Sequence, residues 1–492
     1  MGSSPRSAKG EREQSVLLEL AHAASGYNPR MPVSARYRPD PRYLTLGDGF
    51  ADAVAPARFP THRLRFRNQR HAARVGLDTL DDAEWEAAFA RFEPLPDNLP
   101  TPLALRYHGH QFHSYNPGLG DGRGFLCAQL RDDAGRLCDL GTKGSGTTPW
   151  SRGGDGRLTL KGGVREILAT ELLEALGVDT SKSLSLFETG EKLYRGDEPS
   201  PTRSSVLVRL SHSHVRFGSF QRLARMGDRA GLERLFAYAV AHFHPDATSP
   251  AAFLRAVCER VAATCGRWMA AGFVHGVLNT DNMNVTGESF DYGPWRFLPE
   301  CDPHFTAAYF DDHGLYAYGR QPAAVRWNLE RLAEALEPLG EPLEGALDGF
   351  QGALFDGLRE GLLRRLGLAS AGEVADTMLV QGLLGFAEAS RVPFDQLFFD
   401  WYGGVAAEAR AARSPSAEAY RAPGFQTLHE VLAAYVPAHP ERLADPYWSR
   451  ARPVGLRIET VEALWDAIDV ADDWGPLVRH VEEIRGLRAL LD

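Results

Sequence analysis

The stretch from residue 275 to residue 293 constrains this chain more than any other. It reads His275-Gly-Val-Leu-Asn-Thr-Asp-Asn282, and Asp291-Tyr-Gly293 follows with its carboxylate nine residues after Asn282. A short apolar turn therefore leads into two adjacent polar residues, and a second carboxylate stands on a later turn. Phosphoryl-transfer sites hold their divalent metal ions with the same residue types on successive loops. The segment therefore predicts a metal site at Asn282 and Asp291.

The spacing within this segment differs from that of a kinase catalytic loop at one position. Small-molecule kinases of the protein-kinase fold read His-Gly-Asp-x-x-x-x-Asn there, and the Asp accepts the proton of the substrate hydroxyl. Here Val277 stands at the position of that Asp, while Asn282 is in place. A valine cannot accept a proton, so the pattern disfavours ordinary hydroxyl phosphorylation. Asp281, one residue before Asn282, is the nearest carboxylate that could replace it.

Length and composition exclude several classes of protein. A chain of 492 residues is too long for one simple core, so we expect two or more lobes. The formal net charge of −10 gives no support to nucleic-acid binding, and no apolar run approaches the ~18 residues of a membrane span. Five cysteines without a Cys-x-x-Cys pair indicate reduced thiols and a cytoplasmic protein. Residues 1–14 are polar, so we expect a disordered lead-in instead of a secretion signal.

Proline and helix signals divide the chain. A short helix predicted from Trp85 to Phe92 is followed by the proline-rich stretch Pro94–Pro102, which reads as an extended linker. Many amphipathic helices with Pro- or Gly-containing turns follow the C-lobe. The predicted parts are an N-terminal extension and linker (residues 1–100), a β-rich N-lobe (101–245), a C-lobe with the metal segment (246–342) and a helical C-terminal extension (343–492), which together make an α+β fold.

Two glycine-rich segments could approach the phosphates of a nucleotide. The first is Gly118-Leu-Gly-Asp-Gly-Arg-Gly124, and the second runs from Gly144 to Gly156. Glycines let backbone N–H groups come close to an anion, and Arg152 or Arg157 could add positive charge. A plain tight turn explains the first segment equally well. The second is not a Walker A loop, because the pattern G-x-x-x-x-G-K-[ST] does not occur in it.

A lysine after a predicted strand and a glutamate on the next helix match the ion pair of kinases. Gly124–Leu130 and Arg136–Thr142 read as the two strands of a hairpin, and Lys143 sits at the end of the second strand. The helix predicted from Val164 to Leu176 carries Glu166 in its first turn. In kinases such a pair orients the lysine on the phosphates. Glu166 could instead be a partner of the helix dipole.

Arginines and histidines in two further segments allow two interpretations each. Arg209 and Arg216 bracket the end of a strand predicted from Val206 to Leu210. Paired arginines suit a triphosphate, although a solvated edge strand would also carry them. The pattern His108-x-His-x-x-His113 could hold a metal ion, but histidines on a strand alternate between its faces.

Two other elements frame these segments. Ser183–Thr189 and Leu193–Gly196 read as a second hairpin. Ser249 followed by Pro250 is a strong helix start, because serine caps the N-terminus and proline suits the first helical position. This helix is predicted to run to about Met269 and to lead the chain into residues 275–293.

The motifs of residues 107–294 together resemble the selenoprotein O / YdiU family of kinase-like protein adenylyltransferases. They follow one another in that family's order, and the Asn-Thr-Asp-Asn-Met run with its Tyr-Gly-Pro turn is highly specific. The matching segments are Tyr107-His-Gly-His-Gln-Phe112, Leu119-Gly-Asp-Gly-Arg123, Lys143-Gly-Ser-Gly, Ser151-Arg-x-x-Asp-Gly-Arg157, Arg165-Glu166, Ser213-His-Val-Arg-Phe-Gly218, His275-Gly-Val-Leu-Asn-Thr-Asp-Asn-Met283 and Asp291-Tyr-Gly-Pro294.

The resemblance implies a fold and a reaction. The fold is a protein-kinase-like bilobal one, with a β-rich N-lobe and a helical C-lobe. The reaction is transfer of AMP from ATP, bound in a flipped orientation, to Ser, Thr or Tyr hydroxyls of proteins, or of the chain itself, with release of pyrophosphate. The implied metal is Mg²⁺ or Mn²⁺. The implied roles are general base for Asp281, ion pair for Lys143 and Glu166, metal ligands for Asn282 and Asp291, and nucleotide contacts for Gly120, Gly122, Arg123, Lys143, Asp155, Gly156, Arg209 and Arg216.

The chain also departs from the family pattern. Arg485 to Asp492 contain no counterpart of the C-terminal selenocysteine or cysteine pair of animal members, so the chain resembles a divergent bacterial-type branch. Lys161 stands where an Arg is common. Other readings remain open: a protein uridylyltransferase that uses UTP and Mn²⁺, a kinase that transfers the γ-phosphoryl group, and a pseudokinase scaffold that binds nucleotide without turnover.

Overall fold

The structure is a computed structural model that describes residues 33–153, 155–196 and 199–492. The predicted lead-in of residues 1–14 lies outside these ranges. The strands are β1 (Ala51–Ala53), β2 (Arg63–Arg67), β3 (Leu103–Leu105), β4 (Gly109–Gln111), β5 (Ser114–Asn116), β6 (Leu126–Arg131), β7 (Leu137–Lys143), β8 (Leu158–Thr159), β9 (Lys182–Leu193), β10 (Thr202–Ser211), β11 (Phe273–Val274) and β12 (Arg296–Phe297). The helices are α1 (Gln69–Arg74), α2 (Asp82–Phe89), α3 (Leu160–Ala175), α4 (Phe217–Arg225), α5 (Arg229–Phe243), α6 (Pro250–Ala271), α7 (Gln321–Leu336), α8 (Phe350–Leu366), α9 (Glu373–Ser390), α10 (Phe394–Asp400), α11 (Glu408–Ala411), α12 (Ala417–Arg421), α13 (Pro423–Leu432), α14 (Ile458–Ala471) and α15 (Gly475–Leu491). The predicted α+β class with a helical C-terminal part is confirmed.

The chain divides into two compact units, and each is assembled from three separate pieces. The pieces of the first unit, within the described residues, are 33–106, Gly120–Thr159 and Leu184–Leu210. Those of the second unit are Tyr107–Leu119, Leu160–Ser183 and Ser211–Asp492. The first unit therefore includes β1 and β2, which precede residue 101. Each unit depends on contacts between segments that are far apart in the sequence.

A single large sheet organises the first unit. Its strands lie in the order β1-β3-β6-β7-β10-β9-β2, with β8 paired to β10. Helices α1 and α2 contribute to the core against this sheet, and Val206, Val208 and Leu210 of β10 belong to the same hydrophobic cluster as Trp85 of α2. The indole Nε1 of Trp85 donates a hydrogen bond to Ser185 Oγ at 2.9 Å, so the one polar atom of this buried ring is satisfied.

Predictions for the first unit are confirmed where turn or capping residues close by in the sequence determine the local structure. Strands β6 and β7 form the predicted antiparallel hairpin. Its turn is held by Asp132, whose carboxylate accepts the backbone N–H groups of Ala134 at 3.0 Å and Arg136 at 2.8 Å. Lys143 is the last residue of β7, as predicted. Helix α2 starts at Asp82, three residues before the predicted Trp85, because Asp81 and Glu84 form a reciprocal capping box.

The prediction of a turn between Thr189 and Leu193 is wrong. Strand β9 runs without interruption from Lys182 to Leu193 and lies beside β10 in the sheet. The carbonyl of Thr189 accepts the N–H of Thr61 at 3.0 Å, and the Thr189 hydroxyl contacts Ser204 Oγ. These contacts with distant residues keep Thr189 in the strand, and Gly190 beside it adopts φ +77°, where a Cβ would stand 2.5 Å from Thr61 Oγ1.

Helix α6 in the second unit begins and ends as its sequence predicts. The side chain of Ser249 accepts the N–H of Ala252 at 3.1 Å, and Pro250 is the first helical residue. Gly272 ends the helix in the left-handed conformation with φ +68°. The chain then enters β11, which pairs with β12 and leads directly into the segment that starts at His275.

Helix α3, which carries Glu166, starts earlier than predicted. It begins at Leu160 instead of Val164, so Glu166 lies in the second turn, beyond the reach of the helix dipole. Gly162 and Gly163 concealed this start because glycine has a low helix propensity.

A distant helix stabilises α3 in the second unit. Arg485 of α15 donates to both carboxylate oxygens of Glu171, at 3.0 and 2.7 Å, and the two residues are 314 positions apart. Glu171 is buried, with 3% of its side chain exposed. A two-pronged contact of this kind fixes the direction of both side chains. The C-terminal helices therefore help to position the helix that bears Glu166.

Two inferences from composition, on membrane-spanning helices and on the cysteines, can be compared with the structure. Within residues 33–153, 155–196 and 199–492, none of the helices combines the length and apolar composition needed to cross a bilayer. All five cysteines are free thiols, as predicted, and four of them are buried.

Candidate active site

The turn that carries Asp281 is a short 3₁₀ helix, Thr280–Asn282, in the second unit. The chain reaches it from β11 through His275, whose N–H donates to Gln321 Oε1 at 3.0 Å. Asn328 of α7 supports the approach by donating its side-chain amide to the carbonyl of Leu278 at 2.8 Å. Two side chains from the start and middle of the α7 region therefore fix the backbone on which Asp281 sits.

The β4–β5 hairpin is fastened to the same turn. Thr280 Oγ1 accepts the N–H of His110 at 2.7 Å and donates to Gln221 Oε1 at 2.7 Å. The backbone of Gly109 lies so close that a Cβ there would stand 3.1 Å from Thr280 Oγ1 and 3.2 Å from Asp281 Oδ1. The hairpin thus closes over one side of the Asp281 carboxylate, and a larger residue at position 109 would have to displace its neighbours.

Asp281 is buried, with 7% of its surface exposed, and Tyr316 lies nearby. The Tyr316 hydroxyl donates to Asn279 Oδ1 at 2.7 Å. Burial raises the pKa of Tyr316 above its usual range; the N–H of Phe112 acts against this, and the carboxylates of Asp281 and Asp311 raise the pKa further. Tyr316 is therefore a stable proton donor at neutral pH and keeps Asn279, two residues before Asp281, in place.

Arg216 joins the two acidic positions of the segment. Its Nη1 donates to the carbonyl oxygen of Asp281 at 3.0 Å and lies 3.7 Å from Asp291 Oδ2. The guanidinium carbon lies 4.4 Å from the ring centre of Tyr107 and 5.1 Å from that of Phe290. Such buried placement between two aromatic faces suits a guanidinium better than an ammonium group. Arg216 is thus fixed beside the predicted metal ligand Asp291.

Asn282 and Asp291 have the chemistry of ligands for a hard divalent cation. Asn282 donates its Nδ2 to the carbonyl of Val277 at 3.0 Å, which orients the side-chain amide. Asp291 adopts φ +66°, an uncommon conformation for a residue other than glycine, and a fifth of its side chain is exposed. Amide and carboxylate oxygens are what Mg²⁺ or Mn²⁺ would take, so these residues fit the implied metal.

The three histidines at positions 108, 110 and 113 do not form a metal site, in line with the argument against one from their alternation on a strand. His108 and His113 are not on one strand, because a turn at Phe112–His113 separates β4 from β5. Nδ1 of His108 lies 2.7 Å from the Tyr115 hydroxyl, and His113 stacks on Trp327 with ring centres 4.2 Å apart. Across the described parts of the chain, no group of three or more His, Cys, Asp or Glu side chains is arranged to hold a metal ion.

In the first unit, the two predicted glycine segments pack against each other. Trp150 lies over Gly120, where a Cβ would stand 2.4 Å from the indole Cγ. Ser151 Oγ donates to the carbonyl of Gly122 at 2.6 Å, and Thr148 Oγ1 donates to that of Asp121 at 2.6 Å. The glycines at positions 120 and 122 therefore permit the close approach of the 144–156 loop.

Asp155 organises two arginines of these loops. Its Oδ1 accepts Nε of Arg123 at 3.0 Å, and its Oδ2 accepts the backbone N–H of Arg152 at 3.0 Å. Arg123 keeps 66% of its side chain exposed, so it can reach an anion while anchored. Arg157, considered above as a phosphate contact, instead forms a two-pronged pair with Glu191, at 2.6 and 3.1 Å.

The other predicted site residues are distributed between the two units. Lys143 ends β7 and Arg209 lies in β10, and both are buried residues of the first unit. Gly156 has φ +82°, and a Cβ there would stand 2.8 Å from the backbone of Gly146. Glu166 is 1% exposed in α3 of the second unit.

Comparisons with known proteins agree with this arrangement of motifs. The family model described as "Protein adenylyltransferase SelO" matches residues 33–485. The chain belongs to the SelO family. Membership in the SelO family makes it a nucleotidyltransferase, and the resemblance inferred from the sequence motifs is confirmed.

Curated relatives support the same assignment over nearly full length. A protein of Gloeobacter violaceus named "Protein nucleotidyltransferase YdiU" is 45% identical over 466 residues, covering 91% of this chain and 94% of that protein. A protein of the same name from Synechocystis is 43% identical, covering 91% and 97%. One from Azotobacter vinelandii is 38% identical, covering 73% and 74%. The similarity to SelO-family proteins therefore includes both units.

Four residues that the sequence analysis did not single out also support the candidate site. Gln221, Asn279, Thr280 and Tyr316 hold the Asp281 turn through side-chain hydrogen bonds. Asn279 and Thr280 stand inside the opening motif and could have been noticed there. Gln221 and Tyr316 lie in unremarkable helical and loop sequence, and only the fold brings them to the turn.

Proposed function

We propose that this enzyme is a protein adenylyltransferase that transfers AMP from ATP to Ser, Thr or Tyr hydroxyls of proteins. One observation carries the proposal. Val277 occupies the position of a kinase base, while Asp281 is buried on a turn whose backbone carbonyl accepts a hydrogen bond from Arg216, and the same arginine lies beside Asp291. A catalytic base must be fixed within hydrogen-bond reach of the attacking hydroxyl, and Asp281 is the carboxylate that meets the requirement of a fixed position.

In the proposed reaction, the acceptor hydroxyl oxygen attacks the α-phosphorus of ATP. The bond between the α-phosphorus and the α,β-bridging oxygen breaks, and pyrophosphate leaves with the bonding electrons. Asp281 accepts the hydroxyl proton. The product is a phosphodiester between AMP and the acceptor side chain. The protein's main contributions are positioning of the acceptor and stabilisation of charge on the phosphates.

Each predicted residue takes a role that its environment allows. Asn282 and Asp291 would hold Mg²⁺ or Mn²⁺, which when bound neutralises charge on the phosphates. Arg216 provides a fixed positive charge beside Asp291. Gly120, Gly122, Gly156 and the anchored pair Arg123–Asp155 are proposed to contact phosphates through backbone N–H groups and one exposed guanidinium. Lys143, Glu166 and Arg209 keep the roles that the family pattern implies.

A kinase-like bilobal arrangement with flipped ATP is part of this proposal. It is supported by the chain order of a β-hairpin ending in Lys143, a helix bearing Glu166, and the Asn282–Asp291 segment after a long helix. Transfer of UMP from UTP with Mn²⁺ is the second candidate. The name "Protein nucleotidyltransferase" that the relatives carry leaves the nucleotide open.

Labelled nucleotides test the reaction directly. The purified enzyme is incubated with a cell extract and Mg²⁺ or Mn²⁺, and with ATP labelled on the α- or the γ-phosphate or UTP labelled on the α-phosphate. Label from α-ATP alone supports adenylylation. Label from γ-ATP alone overturns it in favour of a kinase, and label from UTP alone favours the second candidate. No protein label with retained nucleotide binding supports a scaffold.

Two variants and one control assign the roles. Asp281→Asn is expected to abolish transfer while nucleotide binding, measured by calorimetry, is retained. Asp291→Asn removes a proposed metal ligand. It is expected to abolish metal-dependent nucleotide transfer and to remove the effect of metal ions on nucleotide binding. Asp466→Asn, at an exposed position on α14, is the matched control and is expected to behave as the unmodified enzyme. Full transfer by Asp281→Asn would show that another group is the base.

A further inference from the structure

Three aromatic side chains form an exposed group in the second unit. Phe112 is 38%, Tyr309 77% and Phe310 45% exposed. The ring centres of Phe112 and Phe310 are 6.0 Å apart, and those of Tyr309 and Phe310 are 5.1 Å apart, both with edge-to-face geometry. We refer to Phe112, Tyr309 and Phe310 as the aromatic patch. Exposed aromatic clusters on a soluble protein mark sites of interaction.

The conformation of Phe112 indicates that its exposure is maintained at a cost. Phe112 and His113 form the two-residue turn between β4 and β5, with φ values of +47° and +65°. Such turns favour Asn and Gly because a bulky residue in the left-handed region is strained by ~1 kcal/mol or more. His113 is compensated by stacking on Trp327, but the Phe112 ring remains partly in solvent. A strained and exposed ring of this kind points to a function outside folding.

Hydrogen bonds tie the patch to the proposed base. The N–H of Phe112 donates to Asn279 Oδ1 at 3.2 Å, and the Tyr316 hydroxyl donates to the same oxygen at 2.7 Å. The Phe112 ring also packs on Tyr316, with ring centres 5.1 Å apart. Asn279 immediately precedes the turn that carries Asp281. The position of the patch relative to Asp281 is therefore fixed by the same amide that orders the turn.

We propose that the aromatic patch binds the acceptor polypeptide through a large apolar side chain, aromatic or aliphatic, that lies within a few residues of the modified hydroxyl. The proposal rests on the proposed function, because it places the acceptor hydroxyl at Asp281. An extended chain advances ~3.3 Å per residue, so a flanking side chain reaches the surface beside the base while the hydroxyl occupies the site. Binding energy from such a remote contact can help to orient the reacting group.

The size of the patch favours a peptide segment over a second copy of the chain. Stable protein interfaces bury ~800 Å² on each partner. Three aromatic side chains contribute at most ~150–250 Å² each, and these three are already partly covered. One or two apolar anchors inserted from an extended acceptor match the available surface. Dimer formation through the patch is a competing outcome that the experiment below detects.

The experiment compares two fluorescein-labelled peptides that differ at one position. Both contain the same Ser, and one has Leu or Phe two residues from it where the other has Asn. Binding to the full-length protein is measured by fluorescence anisotropy, without nucleotide, so the readout does not depend on catalysis. The apolar peptide is expected to bind about 10-fold more tightly, which corresponds to ~1.4 kcal/mol. Equal binding of the two peptides would overturn the proposal.

Variants of the patch locate the effect. Tyr309→Ala combined with Phe310→Ala is expected to reduce the affinity ratio of the two peptides to about one, the loss expected when an apolar anchor site is removed. Tyr309→Phe keeps the ring and is expected to preserve the ratio. Tyr194→Ala, which removes a tyrosine that is 80% exposed in the first unit, is the matched control. An unchanged ratio in the double variant, or the same loss in Tyr309→Phe as in the double variant, would overturn the proposal.

The remaining measurements separate this proposal from the proposed function. Transfer from α-labelled ATP is measured on both peptides, and a preference for the apolar peptide is expected in kcat/KM. Preferential binding without any transfer would sink the adenylyltransferase proposal while leaving a peptide-binding patch. Transfer without preference would leave the enzyme assignment and sink the patch. Chromatography of the double variant tests dimerisation: a change from dimer to monomer would assign the patch to self-association instead.

Discussion

Arg216 Nη1 lies 3.0 Å from the carbonyl oxygen of Asp281 and 3.7 Å from the carboxylate of Asp291. One guanidinium therefore contacts the residue proposed as base and the residue proposed as metal ligand. The rings of Tyr107 and Phe290 also contact this guanidinium, with their centres 4.4 and 5.1 Å from its carbon. The spacing between the two acidic positions is thus set by a side chain from outside the segment 275–293.

Substitution of this arginine by lysine tests that spacing. Arg216→Lys keeps the charge, but an ammonium group cannot reproduce the planar contacts with two rings and two oxygens. We expect kcat for nucleotide transfer to fall about 10-fold or more, because misplaced catalytic groups lose rate steeply. Initial rates with α-labelled ATP measure this. Arg229→Lys, at an exposed pair with Glu233, is the control; a rate in Arg216→Lys equal to that of the control would contradict the prediction.

The close approach of the hairpin to Asp281 leads to a second prediction. A Cβ at Gly109 would lie 3.2 Å from Asp281 Oδ1, so Gly109→Ala must displace the hairpin or the carboxylate by a few tenths of an ångström. We expect the transfer rate to fall by about 10-fold while nucleotide affinity stays constant, because only the acceptor side is disturbed. Steady-state kinetics together with nucleotide calorimetry measure both.

Gly293 provides the comparison for this substitution. It lies two residues after Asp291 on the other side of the segment, and a Cβ there would meet no atom within 4 Å. Gly293→Ala is therefore expected to keep the rate. If Gly109→Ala also kept it, the hairpin would have no part in placing the base.

His244 predicts how stability depends on pH. Its Nε2 donates to the carbonyl of Val285 at 2.8 Å, and burial lowers its pKa from 6.5 to about 4, with Arg260 and His212 adding to the effect. Between pH 6.5 and about 4, His244 is therefore protonated in the unfolded chain and mostly neutral in the folded chain. The contribution of His244 is fully present above pH 6.5 and is lost as the pH falls towards 4. Between pH 7.5 and 5.5 the loss is about 1.4 kcal/mol in the free energy of unfolding.

Urea denaturation at the two pH values measures this contribution. His244→Gln retains an amide donor for the Val285 carbonyl but does not titrate. The difference in unfolding free energy between pH 7.5 and 5.5 is expected to be smaller in this variant than in the unmodified protein. Identical differences would show that the folded protein accommodates a charged His244.

The pair between Glu171 and Arg485 predicts a coupling energy. Removing one partner of a buried pair leaves a charge uncompensated. Arg485→Met is therefore expected to lower the free energy of unfolding by about 3 kcal/mol. The double variant Glu171→Met, Arg485→Met is expected to recover part of that loss. Arg450→Met, which removes an exposed pair with Glu483, is expected to cost less than about 1 kcal/mol. The cycle consists of the unmodified protein, Glu171→Met, Arg485→Met and the double variant; thermal and urea unfolding measure it, and strictly additive effects of the two substitutions would contradict the coupling.

The sequence predicted elements whose signals are local. The hairpin that ends at Lys143 has its turn residues beside it, and helix α6 has its cap at Ser249 and its glycine at 272. The resemblance to the SelO family was readable because each motif is a short contiguous run. In these cases the residues that determine the structure are neighbours in the chain.

Other features could not be predicted because their partners are far away in the sequence. His110 and Thr280 are 170 residues apart, and Arg157 and Glu191 are 34 apart. The second pair removed Arg157 from the candidate phosphate contacts. The strand β9 persists through Gly190 because of Thr61, which no local pattern connects to it. Tertiary contacts decide these positions, and a single sequence contains no direct record of them.

The contact of Arg485 with Glu171 also has a consequence for protein synthesis. The 314 residues between them take about 16–63 s to translate at ~5–20 residues per second. During that interval helix α3 exists without its partner helix α15, although Glu166 has already been made and the segment around Asp281 is made partway through. A nascent chain therefore cannot complete the support of α3 until helix α15 has left the ribosome.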